Sequence, residues 1–146
     1  MTEQDFREQI GDWLGSILDL YDVTVRDEDG EFRFDVATSD FGVSVTTSAP
    51  QYVHITAVAL HDVPRSLELY EELTSLTLNT PTCTLLWSDG SVLVRISLRG
   101  SALVQGTLLY SIDEIARVAD LYAPILRSRF GGSPPRPDGD RDELNW

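Results

Sequence analysis

Apolar side chains recur at helical spacing over the first twenty residues. Phe6, Ile10, Trp13, Leu14, Ile17, Leu18 and Tyr21 fall at i, i+4, i+7, i+8, i+11, i+12 and i+15, which is one face of a helix. That helix is predicted over 2–20, with Thr2 as its cap and Asp5 as an acid in its first turn. Gly11 and Gly15 weaken it but sit where another element can approach closely. The period then changes to two. A short strand at Val23–Arg26 runs toward Asp29-Gly30, a strong hairpin-turn signal. In Glu31–Ala37, Phe32, Phe34 and Val36 point one way and Arg33 and Asp35 the other. Ser39-Asp40 reads as a turn, after which Phe41, Val43 and Val45 alternate with Gly42, Ser44 and Thr46. Ser48-Ala49-Pro50 marks another turn. Tyr52–Leu60 is a longer strand with apolar residues on both parities.

Pro64 fits the leading edge of a second helix over 65–78, with Leu69, Tyr70, Leu73 and Leu76 as its buried stripe and Asn79-Thr80-Pro81 as its end. Residues 82–88 and 91–99 form a hairpin around Asp89-Gly90. A two-residue turn there sets Trp87 opposite Val92, Leu85 opposite Val94 and Cys83 opposite Ile96 on one face. Leu86 and Leu93 share the other face, beside Thr84 and Arg95. A third helix lies within 107–130, with Leu108, Ile112, Ile115, Ala116, Ala119, Tyr122 and Leu126 as its core stripe. Pro124 is expected to bend or break it. Gly131-Gly132-Ser133-Pro134-Pro135-Arg136-Pro137 ends the pattern. One domain over 1–132 and an extended or disordered tail over 133–146, rich in Pro, Gly and Asp, follow. The expected fold is α+β, an antiparallel sheet with helices packed on one face, in the order α-β-β-β(-β)-α-β-β-α.

Several of these segments resemble the YbjN family. They are the helix ending Leu76-Thr77-Leu78-Asn79, the hairpin Trp87-Ser88-Asp89-Gly90, the strand Val92–Leu98, and the last helix with Ala119-Asp120, closing in Phe130-Gly131-Gly132. The element order over 2–132 also resembles the related type III secretion chaperones. The resemblance implies a helix–sheet domain that binds peptides or proteins and is not an enzyme. It further implies dimers and extended clients, as in the secretion chaperones, or a regulatory role, as in YbjN-like domains.

Composition sharpens the choice of partner. The chain of 146 residues is long enough for one well-buried core. It has 24 Asp and Glu against 11 basic residues, all Arg, for a net charge of −13. Residues 1–40 alone hold 12 acids and 3 Arg. Such a field repels phosphate backbones and anionic lipid, so neither nucleic acid nor membrane is expected as a partner. It favours solubility and basic clients. The absence of Lys removes Schiff-base chemistry and a Walker-type phosphate clamp. The acidic start and the lack of a long apolar run lead to an expectation of a soluble, cytoplasmic protein.

No pattern carries catalysis, and no cofactor is expected. His54 and His61 are the two histidines, one in a strand and one beside Asp62 in a turn, and no Cys/His metal spacing includes them. Cys83 is the single cysteine and falls on the helix-packed face, as an inert buried thiol. Asp27-Glu28-Asp29-Gly30-Glu31 lacks the spaced ligands of a calcium loop and reads as a solvated turn. The acids of Asp138-Gly139-Asp140-Arg141-Asp142 give no better site. Neither a phosphate-binding glycine loop nor a nucleophile elbow is present.

One sheet face departs from the usual alternation. With Val53, Ile55, Ala57 and Ala59 toward the helices, Tyr52, His54, Val58 and Leu60 face outward, joined by Leu86 and Leu93. A wet face should be polar there, so these six are the candidate partner-binding residues. A protein or peptide client, a homodimer partner, the chain's own tail or a different strand register would each account for them. The main expectation is a non-enzymatic binding module, chaperone-like or regulatory, in which a client also pairs with a free sheet edge. A self-associating adaptor is the alternative, and an enzyme of unrecognised type the third. Leu144-Asn145-Trp146 is expected to act as an apolar plug that imitates a client.

Overall fold

Two Asp-Gly dipeptides set the ends of the sheet. A computed structural model, describing residues 3–36, 39–46 and 48–135, gives both pairs positive φ, at 51° and 81° for Asp29 and Gly30 and 53° and 88° for Asp89 and Gly90. Positive φ at both central residues belongs to the tight hairpin turn whose twist matches its strands, which is why Gly follows Asp twice. The first turn joins β1 (Arg26–Glu28) to β2 (Glu31–Val36), and the second joins β5 (Thr84–Ser88) to β6 (Ser91–Arg99). Between them lie β3 (Ser39–Thr46) and the nine-residue β4 (Tyr52–Leu60). The order across the antiparallel sheet is β1-β2-β3-β4-β6-β5.

Helices α1 (Glu3–Asp19), α2 (Leu67–Leu78) and α3 (Gln105–Phe130) complete the fold. The inward parity of the strands supplies Phe34, Phe41, Val43, Val53, Ile55 and Val94 to the core, where they meet Ile10 and Leu14 of α1 and Leu108, Ile115 and Leu126 of α3. Removing such side chains from water stabilises the fold by about 1.5–3 kcal/mol each. Gly11 lets α1 settle onto the sheet, since a Cβ there would lie 3.0 Å from the Phe32 ring. The Ser66 hydroxyl accepts from the Leu69 N–H at 3.1 Å and starts α2. The α+β order and the helix-covered face follow the alternation of the sequence. No helix among the described residues is long and apolar enough to cross a membrane.

Several local expectations shift. The first strand is Arg26–Glu28 rather than Val23–Arg26, because a two-residue turn forces Glu28 opposite Glu31; Val23 and Val25 instead pack against the core. Ser39 and Asp40 already pair with Val36 and Asp35, so they open β3 rather than turning the chain. Tyr21 lies beyond α1 and is exposed, and Tyr70 sits at the rim of α2, edge-on to Trp87 at 6.2 Å. The ladder of β5 stops at Thr84–Arg95, one pair short of Cys83–Ile96, as the Cys83 N–H turns to the Thr80 carbonyl at 3.3 Å. Pro124 does not end α3, which continues to Phe130. It lies on the exposed side, where the carbonyl left without an amide donor can be hydrated. After α3, Ser133 and His61 exchange N–H···O=C bonds of 2.8 and 2.9 Å. Gly132 permits this return: its φ is 95°, and a Cβ would lie 2.7 Å from the Val63 side chain. Most of the anticipated tail, with Trp146, lies outside the described residues.

Candidate functional site

The sheet face opposite the helices is built of rows that run across the strands. One row reads Asp35, Asp40, Val58, Leu93, Leu86 from β2 to β5. The next reads Arg33, Gly42, Thr56, Arg95, Thr84. Ser44, His54 and Ser97 form a third, and Thr46, Tyr52 and Arg99 a fourth. The apolar part is therefore a strip of three touching positions, Val58, Leu93 and Leu86, all half-buried, with a pair of carboxylates at one end. Arg33 steadies that acidic end, with guanidinium nitrogens 3.6 Å from both Asp40 and Glu31 carboxylates.

Five of the six expected partner residues share this face, but they divide into two groups. Tyr52 and His54 stack at 6.1 Å, His54 Nδ1 is hydrogen-bonded to the Ser97 hydroxyl at 2.8 Å, and Arg99 lies over the Tyr52 ring at 5.7 Å. Between this group and the apolar strip runs a polar row in which Arg95 Nε donates to Thr56 Oγ1 at 3.1 Å. Leu60 does not belong to the face. It is 1% exposed and lies in the core. Val58 pairs with Leu93 and Leu60 with Val92, so β4 spends one extra residue there. This bulge reverses the parity of every later side chain, which places both Ala59 and Leu60 inside. Alternation alone carries Leu60 outward, because nothing in β4 itself announces the bulge. The acids Asp35 and Asp40 were legible from parity but were not grouped with the strip, since that grouping depends on the β2–β3–β4 register.

The sheet edges differ from the expected open edge beside the strip. On β5 the Thr77 hydroxyl accepts from the Leu85 N–H at 2.9 Å and donates to the Leu85 carbonyl at 3.3 Å. Trp87 Nε1 donates to the Val63 carbonyl at 2.9 Å beside it. Helix α2 thus occupies the edge next to the apolar strip, and no strand can add there without displacing it. The opposite edge is β1, three exposed residues. Arg7 holds it to α1 through two bonds to Asp27, at 2.9 and 3.1 Å. This contact lowers the Asp27 carboxyl pKa, chiefly through the hydrogen bond from Arg7.

The remaining titratable residues do not converge. His61 Nδ1 meets the Ser91 hydroxyl at 3.2 Å, far along β4 from His54. Burial pushes the Cys83 thiol pKa up, and its sulfur touches only the Thr82 hydroxyl, at 3.7 Å. Among the described residues no group of three or more His, Cys, Asp or Glu could hold a metal ion.

Comparison with known proteins places this geometry. A search of curated proteins by sequence gives no match. The fold is similar to that in the crystal structure of the ExsC-ExsE complex, with a TM-score of 0.60 at 10% identity over 82% of this chain and 94% of that one. It is equally similar to that in the HopA1-SchA chaperone-effector complex, with a TM-score of 0.61 at 12% identity and the same coverage. E. coli YbjN shares it at a TM-score of 0.54 and 16% identity, over 76% of this chain and 89% of that one. A family model described as "T3SS (YopN, CesT) and YbjN peptide-binding chaperone 1" matches residues 4–138. With that match spanning nearly all of its length, the chain belongs to the TY-Chap1 family of peptide-binding chaperones.

Proposed function

We propose that the protein binds an extended segment of a client protein on the outer face of its sheet and does no covalent chemistry on it. The observation that carries this reading is the strip Val58–Leu93–Leu86, an apolar row left outside the helix-covered core of a peptide-binding chaperone family member. Apolar side chains of the client would cover the strip, and basic ones would meet Asp35 and Asp40 at its end. Tyr52 and His54 would form a second contact beyond the Thr56–Arg95 row. The net charge of −13 would keep the complex soluble and draw in basic segments. The role served is that of a chaperone or a regulator acting through such a client. The occupied β5 edge argues against strand addition beside the strip, so the client lies across the face rather than extending it there.

The test uses labelled peptides of alternating Leu and Lys, with binding followed by fluorescence anisotropy. Leu93→Asp is expected to weaken binding by at least about tenfold, the loss of one buried leucine contact, while leaving helix content unchanged. Unchanged affinity in Leu93→Asp contradicts the reading. Solution mass separates the competing use of the same strip: a wild-type dimer that Leu93→Asp converts to a monomer favours self-association, and an unaltered monomer favours the client.

A further inference from the structure

A second concavity lies at the other end of β4, between the first half of α1 and the segments that flank β4 and β6. Phe6 and Trp13 of α1, Pro50, Gly100 and Leu103 enclose about 290 Å³, with Arg99 at the rim. That volume is at the lower end for ligand pockets and suits one large side chain. Gly100 keeps it open and close-walled: its N–H donates to the Gln51 carbonyl at 2.8 Å, and a Cβ there would sit 2.9 Å from the Phe6 ring and 3.2 Å from that same carbonyl. The electrostatics are unlike the rest of the molecule. The chain holds 24 acids, and the groove on the other side of α1 is lined by Glu8, Asp12 and Asp27. None lines this pocket, whose one charge is Arg99. The Arg99 guanidinium donates to the Tyr52 hydroxyl at 3.2 Å and is otherwise exposed, leaving donors of its planar fork open to solvent.

We infer that this pocket is a specificity site for client peptides: it takes one aromatic or large aliphatic side chain whose neighbouring residue is Asp or Glu, with that carboxylate on Arg99. A carboxylate can engage the guanidinium through charge-assisted, bidentate hydrogen bonds, whereas a Lys in its place would be repelled. The inference rests on the reading of the protein as a peptide binder and adds what it selects. A client drawn by its basic residues to the acidic surface would have its register fixed by a single apolar–acidic pair.

The experiment titrates the full-length, nitrogen-15-labelled protein with acetyl-Trp-Asp-amide and acetyl-Trp-Lys-amide and follows amide and indole signals by NMR. The Asp peptide is expected to shift the Trp13 indole and the Gln51 and Gly100 amides, and to bind at least about tenfold tighter than the Lys peptide, a difference of about 1.4 kcal/mol. Arg99→Glu should reverse that order; Arg99→Lys should keep it with weaker binding. Equal affinity for the two peptides, no reversal in Arg99→Glu, or shifts that miss the pocket would overturn the inference. The Leu93→Asp variant separates it from the sheet-face reading. Dipeptide binding that survives in Leu93→Asp while the long Leu/Lys peptide is lost supports both sites. A wild-type protein that binds the long peptide but ignores the dipeptides overturns the pocket alone.

Discussion

Val58 and Leu60 sit two positions apart on one strand and face opposite sides of the sheet. The bulge between them decides that only Val58 is available to a partner. The two residues should therefore respond differently to truncation. Leu60→Ala opens a cavity in a packed core and is expected to cost about 2–5 kcal/mol. Val58→Ala removes a half-exposed side chain and should cost less than about 1 kcal/mol. Urea unfolding monitored by circular dichroism measures both, and equal losses would show that the two share one environment. Cys83 offers a second check. With its thiol pushed up by burial, the thiolate is scarce at pH 7–8, and a disulfide-exchange reagent should react only on unfolding. The sign follows from linkage: a raised folded-state pKa stabilises the fold below the unfolded thiol's own pKa, and that term fades as the pH climbs through and above it.

At the scale of elements, most of the fold was legible because its signals are local. Phe6–Leu18 spells a helix face, Phe32–Val36 and Phe41–Val45 spell half-buried strands, and both Asp-Gly pairs fix their own registers. The elements that were misplaced depend on contacts distant in the chain. The bulge at Ala59 needs β6 as a reference, the early end of the Cys83 strand needs the Thr80 carbonyl, and the closed β5 edge needs Thr77 from α2. An open edge is an aggregation hazard, and a single hydroxyl blunts it here. Thr77→Val keeps the shape but removes both bonds to Leu85. It is expected to destabilise the protein by about 1–3 kcal/mol through the unsatisfied backbone groups and to raise light scattering on mild heating. A variant as stable and as soluble as the parent would show that α2 does not guard this edge.

Across the whole molecule, helices take one side of the sheet and leave the other with a narrow apolar strip set among charges. The candidate site was legible in part. Parity placed Tyr52, His54, Val58, Leu86 and Leu93 on one face, whereas only the six-strand register shows that Thr56 and Arg95 divide them and that Asp35 and Asp40 extend the strip. Charge then sets how a client approaches. Affinity for a Leu/Lys peptide should fall several-fold as ionic strength rises from about 0.05 to 0.5 M, where screening shortens to a few ångströms, while an apolar contribution persists. Salt-independent binding would remove the acidic surface from the recognition.

The most direct measurement is methyl NMR of the full-length protein with an alternating Leu/Lys peptide added in steps. The outer strip has its own reporters in Val58, Leu86 and Leu93, and Leu60, Val92 and Val94 report from the inner side. The expected result is that the three outer methyl sets shift and show contacts to peptide leucines while the inner ones stay in place. Shifts confined to the helices, with the strip unmoved at saturation, would contradict a client held on the bare face of the sheet.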